Sequence, residues 1–243
     1  MIFAVNTIDE QKQMMKLCGK SPFGCKIAAI AIAYGFDKKF ACFWIDDKTE
    51  TVYCMVDDVM IIAGTVTNPA ETKAFLDAIG VSEIFCAVRN SEILNFTAAE
   101  TGEVLKKKSV GIGEMSGQSS VSIRDVYSLL EENEMCGEFE TFYLDLSHRL
   151  RHQAAIAVTE YSENELIGTA VVSAITPAAA IISAVAVDEK FRRQGIGTGL
   201  MEKVENRLSD KMLYVFKEKG KNEVFYKKLG YIKSDTWVNV KRR

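Results

Sequence analysis

Apolar positions in the second half of the chain change period several times. Ile123, Val126, Tyr127, Leu129 and Leu130 fall at helical spacing. Ser122, with Asp125 three residues on, supplies a start like a capping box, and Gly137 supplies a stop. Beyond Gly137 the pattern turns to strands. Three apolar, β-branched runs lie at 155–159, 166–175 and 180–187, separated by the polar stretch 161–165 and by Thr176-Pro177. Short turns between them predict an antiparallel meander. A loop over 188–195 follows, then a helix over 196–209 with Ile196, Leu200, Met201, Val204 and Leu208 on one face. A strand at 212–216, a short helix at 222–229 ending at Gly230, and a last strand at 235–240 complete the order β-β-β-α-β-α-β.

The first half carries a fainter version of the same order. Helices are predicted at 8–18 and 24–34, and strands at 40–45, 51–56 and 59–63, with acidic turns at Asp46-Asp47 and Asp57-Asp58. Pro69 opens a helix that runs to Ile79 before Gly80, and a strand follows at 83–88. Three strands, a helix and a strand recur, which predicts a tandem arrangement of one α+β fold on a mixed sheet. No residue-level period accompanies the recurrence. The glycine- and serine-rich stretch 109–122 is the linker candidate. It divides the chain into a domain over 1–110, a linker over 111–122 and a domain over 123–243.

Composition narrows the functional classes. The 243 residues suffice for two domains, and 48% hydrophobic with 26% charged residues is ordinary for a globular protein. No apolar run reaches the ~20 residues needed to span a bilayer, and residues 1–6 lack the pattern of a secretory signal. The expected location is the cytoplasm, with no membrane partner. Residues 1–137 carry a net charge of −6 and residues 138–243 a net charge of +3, too weak a surplus for nucleic-acid binding. The six cysteines form no CxxC pair and mostly sit in apolar runs, so they read as core residues. His148 and His152 stand four apart without a third ligand. No metal is expected there, and the pair reads as surface or substrate-groove residues.

The chemistry concentrates between Val185 and Gly199. A strand ends at Val185-Ala186-Val187, the basic loop Arg192-Arg193-Gln194-Gly195 follows, and Ile196-Gly197-Thr198 opens an amphipathic helix. Glycines admit a ligand close to the backbone, and the first N–H groups of a helix suit a pyrophosphate. The spacing of Gly195, Gly197 and Gly199 misses the dinucleotide G-x-G-x-x-G pattern, and no Lys-Ser or Lys-Thr completes a Walker motif.

Arg192-x-x-Gly195-x-Gly197 resembles the [Q/R]-x-x-G-x-[G/A] signature of the GNAT superfamily of N-acetyltransferases. The segment Phe225-Tyr226-Lys227-Lys228-Leu229-Gly230-Tyr231 is similar to that family's F-Y-x-x-x-G-[FY] segment. The resemblance covers about 100 residues, roughly 139–240. It implies an acyl-CoA N-acyltransferase fold, with acetyl-CoA as cosubstrate and a small-molecule or peptide amine as acceptor. It further implies that the backbone of Val185, Ala186 and Val187 pairs with the pantetheine arm. Backbone N–H groups from Arg193 to Thr198 would hold the pyrophosphate, and Tyr226 would protonate the departing thiolate. Asn222, read as one turn before Tyr226 on the same helical face, would contact the cofactor or a water. The amine would attack directly, with a strand N–H holding the oxyanion. The sequence names no general base; Glu160, Glu163 and Glu165 read as solvated turn acids. The alternative from another class is a non-catalytic acyl-CoA-binding sensory or regulatory module, which keeps the loop and loses turnover. In the first half the chain after 59–63 reads Gly64-Thr65-Val66-Thr67-Asn68-Pro69, with no arginine and no G-x-G, so that copy is expected to be degenerate.

Overall fold

The computed structural model describes residues 1–111 and 121–242, so 112–120 of the linker candidate lie outside the described residues. The first half comprises β1 (Ile2–Ala4), α1 (Ile8–Cys18), α2 (Pro22–Tyr34), β2 (Ala41–Asp46), β3 (Thr51–Val56), β4 (Val59–Ala63), α3 (Pro69–Ile79), β5 (Glu83–Ala87), α4 (Val88–Ile93) and β6 (Glu100–Lys108). The second comprises α5 (Ile123–Glu132), α6 (Phe139–Arg151), β7 (Ile156–Ser162), β8 (Glu165–Ile175), β9 (Ala179–Val187), α7 (Ile196–Arg207), β10 (Met212–Glu218), α8 (Glu223–Lys228) and β11 (Ile232–Lys241). After β1 the two halves repeat one order, α-α-β-β-β-α-β-α-β, apart from a single 3-10 turn at Glu189–Phe191.

Local chemistry sets most boundaries. Thr7 and Glu10 close a reciprocal capping box on α1, Ser21 caps α2 with Pro22 in the first turn, and Asn68 caps α3 ahead of Pro69. Ser122 accepts the Asp125 N–H at the start of α5, as its sequence pattern predicts. Several elements depart from the sequence reading, which predicts neither β1 nor β6. Between Gly137 and the first strand lies the 13-residue helix α6, whose Phe139, Phe142, Leu146 and Leu150 recur at spacings of three and four. The predicted strand 83–88 ends at Ala87, and Val88 opens α4. The last strand starts at Ile232, and a register shift between Lys233 and Asp235 leaves Ser234 outside the ladder.

All eleven strands join one sheet in the order β1-β2-β3-β4-β5-β11-β6-β10-β9-β8-β7. The last strand of each half is therefore exchanged. β11, from the second half, pairs antiparallel with β5 of the first, and β6, from the first half, pairs antiparallel with β10 of the second. The exchanged strands pair with each other at the centre, also antiparallel. The divide at 111–122 separates the halves along the chain but not in the sheet.

Alternation on the strands sorts the helices into two layers. α1 and α2 cover Val52, Cys54, Ile61 and Val104, while α5 and α6 cover Val171, Ala184 and Ala186 on the same side. On the opposite side α3 packs against Tyr53, Ile62 and Val238, and α7 against Ile182, Leu213 and Val215. Helix α2 is buried on nearly every side, including against Ala174, Ala179 and Ile181 of the second half. The halves are also tied by polar groups. Lys107 of β6 reaches both carboxylate oxygens of Glu205 on α7 at 2.7 and 2.8 Å, and Lys217 of β10 pairs with Glu103 of β6 at 2.7 Å. Among the described residues no helix is long and apolar enough to cross a membrane.

Two outcomes follow from the exchange. A fragment of residues 1–111 leaves β5 and β6 without β11, so it should lack a cooperative unfolding transition by circular dichroism. Mixing it with 121–243 should restore that transition, and a fragment that folds cooperatively alone would contradict the exchanged sheet. Lys107→Met strands the Glu205 carboxylate in a mostly buried site and should cost roughly 3 kcal/mol in urea unfolding; a loss under about 0.5 kcal/mol would show the pair to be solvated.

Candidate active site

The site is built where two parallel strands part. β9 and β10 pair from Ala179↔Met212 to Ile182↔Val215 and no further, although β9 runs on to Val187 and β10 to Glu218. Each diverging strand keeps its other neighbour. β8 follows β9 to Val187, and β6 follows β10 to Glu218. A notch opens between them, edged on one side by the backbone of 183–187. Val185, Ala186 and Val187, singled out from the sequence, all lie on this edge, with Val185 and Val187 facing the α7 side and Ala186 the α5 side. At the root of the notch the β8–β9 register slips, so Ser183 has no partner across the ladder. Its hydroxyl donates to the Val171 carbonyl at 3.1 Å. The sequence reading did not single out Ser183; its signal was the lone polar residue in the run 179–187.

The loop after β9 is held from beneath. Asp188 donates its N–H to the Ile167 carbonyl at 2.9 Å and accepts the Lys190 N–H at 2.8 Å. Arg192 turns back on the scaffold: Nε donates to the Val187 carbonyl at 3.2 Å and Nη2 to Asn133 Oδ1 at 2.8 Å. Its guanidinium thus fixes the loop to β9 and to the end of α5. Arg193 and Gln194 are exposed, and Arg193 and Gly195 have φ of 64° and 85°. These left-handed turns aim successive amides the same way, and Gly195 meets that demand without strain. Gly195 caps α7 with no side-chain bond, and the first helical bond runs from the Gly199 N–H to its carbonyl at 3.0 Å. No backbone N–H from Arg193 through Thr198 is engaged by any described residue. Gly168 of β8 lets this helix lie close to the sheet, since a Cβ there would meet Ile196 at 2.9 Å.

Helix α8 closes the far wall. Phe225 faces Gly197, whose added Cβ would stand 3.5 Å from the ring. Tyr226 is buried, its ring edge-on to Phe225 at 5.1 Å and to Tyr231 at 5.7 Å. Its hydroxyl has no hydrogen-bond partner among the described residues, and burial pushes its pKa up to about 12. The phenol therefore keeps its proton at neutral pH. The Tyr231 hydroxyl is fully buried without a partner. Its pKa is raised by burial first and by Glu205 next. Asn222 departs from its predicted place. It precedes α8 as its N-cap, at φ 54° and exposed, and only its carbonyl engages the helix, accepting the Tyr226 N–H at 3.1 Å. Having adopted the left-handed conformation, it does not share a helical face with Tyr226.

The other sequence candidates lie apart from this arrangement. Glu160 is ion-paired to Lys203, and Glu163 sits in the β7–β8 turn at φ 49°. His148 stacks on Tyr34 at 4.5 Å, with the His152 ring tilted against it at 4.3 Å, and His148 Nε2 donates to the Ala33 carbonyl at 2.7 Å. Among the described residues no group of three or more His, Cys, Asp or Glu side chains could hold a metal ion.

The corresponding place in the first half is closed. β4 and β5 pair through Ile62↔Cys86, one residue short of both strand ends. The following loop is filled by Asn90 of α4, which is completely buried. Its Oδ1 accepts the Val66 N–H and its Nδ2 donates to the Gly64 carbonyl, both at 3.0 Å. The sequence reading missed this residue.

Residues 152–233 match the model of the acetyltransferase (GNAT) domain. This segment is a GNAT domain. Solved GNAT structures extend the likeness along the whole chain. A GCN5-related N-acetyltransferase from Sphaerobacter thermophilus shares 13% identity over 99% of this chain and 95% of its own, at a TM-score of 0.62. A tandem GNAT protein from the clavulanic acid biosynthesis pathway shares 10% identity over 98% of this chain and 97% of its own, at 0.59. An acetyltransferase of the GNAT family from Colwellia psychrerythraea shares 12% identity over the full length of both chains, at 0.56. No curated protein matches the sequence. A GNAT domain implies acyl-CoA-dependent acyl transfer.

If the row of N–H groups from Arg193 to Thr198 holds a pyrophosphate, a negative charge placed within it should repel the ligand. Aspartate tolerates the left-handed conformation better than most residues, so Gly195→Asp should fold. Its CoA affinity by calorimetry should fall about 100-fold or more, as expected for replacing several charge-assisted bonds with repulsion. Unchanged affinity would place the ligand elsewhere.

Proposed function

We propose that the protein transfers the acetyl group of acetyl-CoA to a primary amine on a small molecule or peptide, by direct attack of the amine on the thioester carbonyl. The observation that carries this reading is the run of unengaged N–H groups from Arg193 to Thr198 beside the parted strands β9 and β10. Six amide donors at a helix N-terminus match the phosphate oxygens of a pyrophosphate. The exposed Arg193 adds charge at the rim. The free edge of 183–187 then takes the pantetheine amides as an added strand, which brings the thioester to the root of the notch at Ser183.

At that root, where β9 has left β10, backbone N–H groups near Ser183 hold the carbonyl oxygen as it becomes an oxyanion. The neutral amine nitrogen bonds to the carbonyl carbon and releases its extra proton to water, the tetrahedral intermediate collapses, and the carbon–sulfur bond breaks. Tyr226 gives its proton to the departing thiolate. A phenol with a pKa of about 12 is a weak acid, but it is reliably protonated and suits a basic thiolate released in a dry cleft. The first half acts as a degenerate copy: Asn90 occupies its loop in place of a ligand. The six cysteines are unpaired, in keeping with a reducing compartment such as the cytoplasm.

Thiol release over a panel of amines tests the reading. Tyr226→Phe should keep the Michaelis constant for acetyl-CoA and lower kcat about 100-fold, the usual scale of general acid catalysis. A phenylalanine variant running at the wild-type rate would remove Tyr226 from the reaction. The raised phenol pKa also fixes the sign of the pH dependence. Tyr226 stays in its active form well above its ordinary value near 10, so kcat should show no tyrosine-dependent loss between pH 7 and 10. A fall over that range that is abolished in the phenylalanine variant would contradict the assignment.

A further inference from the structure

Helix α2, of 13 residues, carries one charged side chain, Lys26. Ten of its residues are buried, yet Lys26 reaches solvent. Two contacts locate it. Its ammonium lies 5.4 Å from the centre of the Phe85 ring, and Phe85 stands 5.6 Å from Phe216. Phe23, one helical turn before Lys26, lies 5.5 Å from Phe216 as well. Phe216 is the first residue of β10 beyond its pairing with β9. On the second side stands α6, whose Arg149 donates to the Ser173 carbonyl at 3.2 Å. Ser173 is the β8 residue skipped in the register beside Ile181 and Ile182, where the notch begins. Lys26 thus belongs to the helical layer over the root of the notch, opposite the α7 and α8 layer that carries the pyrophosphate loop and Tyr226.

The charges there do not balance. Asp145 is the carboxylate whose field reaches Lys26, but both its oxygens accept from Arg149 Nε, at 2.8 and 2.9 Å, and Tyr34 also donates to it. Lys26 has no ion-pair or hydrogen-bond partner among the described residues. The surrounding protein and then Arg149 lower its pKa, against the pull of Asp145, so the cation is held at a cost that an anionic ligand would relieve.

We propose that the acceptor amine carries a carboxylate and that Lys26, supplied by the first half, binds it, with the half-buried rings of Phe85 and Phe216 flanking the acceptor. This rests on the acetyl transfer proposed above and assigns the first half a part in choosing the acceptor. One ammonium on a flexible stem suits a single carboxylate. The Phe85 ring beside it shields the pairing on one side.

The test uses the full chain and acceptors in matched pairs, amino acids and the corresponding amino-acid amides. The wild type should acetylate the acids with kcat/KM at least about 10-fold above the amides. Lys26→Met should raise KM for the acids about 10- to 100-fold, the scale of a lost charge-assisted bond, while kcat, the amide kinetics and the CoA dissociation constant stay unchanged. Lys26→Arg should recover most of the loss. A second measurement needs no turnover: N-acetylated amino acids and their amides are titrated onto CoA-saturated protein by calorimetry. The acids should bind in preference, and that preference should vanish in Lys26→Met. Equal treatment of acids and amides in both assays would overturn the proposal. So would a fall in kcat with unchanged KM in Lys26→Met, which would make Lys26 a proton-transfer group instead. Failure of the wild type to bind CoA at all would count against acetyl transfer itself, and is read separately.

Discussion

Everything proposed for this protein depends on β9 and β10 separating after four residue pairs. Backbone hydrogen bonds are expensive to leave unmade, so a sheet opens only where something else commands the strands. Here each strand is held along its outer edge: β9 by β8, β10 by β6. The opening leaves main-chain groups of 183–187 facing a gap that another extended chain can fill. The same divergence directs the end of β9 toward the loop that bares the amides of 193–198. One parting of strands thus positions both the arm-binding edge and the anion-binding turn.

The outer holder of β10 comes from the other half of the chain. β6 is the last strand of the first half, and β11 repays the exchange by pairing with β5. The first half therefore shapes the site without offering a site of its own. Its β4 and β5 stay paired nearly to their ends, and Asn90 satisfies the loop amide of Val66 and the carbonyl of Gly64. A buried asparagine that meets both a donor and an acceptor takes the Val66 amide away from any phosphate. Duplicate folds with one open notch and one closed allow the closed copy to take other work, such as carrying α2 across the sheet to pack on β8 and β9.

The sequence disclosed the parts whose chemistry is local. The glycines at 195 and 197, the arginine at 192 and the Phe225-Tyr226 pair sit at fixed spacings because the turn and the short helix demand them. The repeat was legible as an order of elements, since α1, α2, α3 and α5 carry their own caps. What stayed hidden depends on distant partners. β6 reads Glu-Thr-Gly-Glu-Val-Leu-Lys-Lys-Lys, a polar stretch with two apolar residues that β11 and β10 make into a strand from either side. Arg192 read as part of a basic, cofactor-binding loop, but its guanidinium is committed to Val187 and Asn133, and Asn133 lies 59 residues away. Asn222 was assigned a helical face because the helix boundary could not be fixed to one residue; its positive φ puts it before the first turn. The register slip at Ser183 left a trace, one serine in an apolar run, whose meaning needed the neighbouring strand.

Amide hydrogen exchange with and without CoA tests the central claim most directly, because it reads the backbone groups on which the account rests. Binding should slow exchange across 183–187 and 193–198 together, and leave the loop 64–68 of the first half unchanged. Protection confined to the first half, or CoA binding that leaves 193–198 exchanging freely, would contradict it.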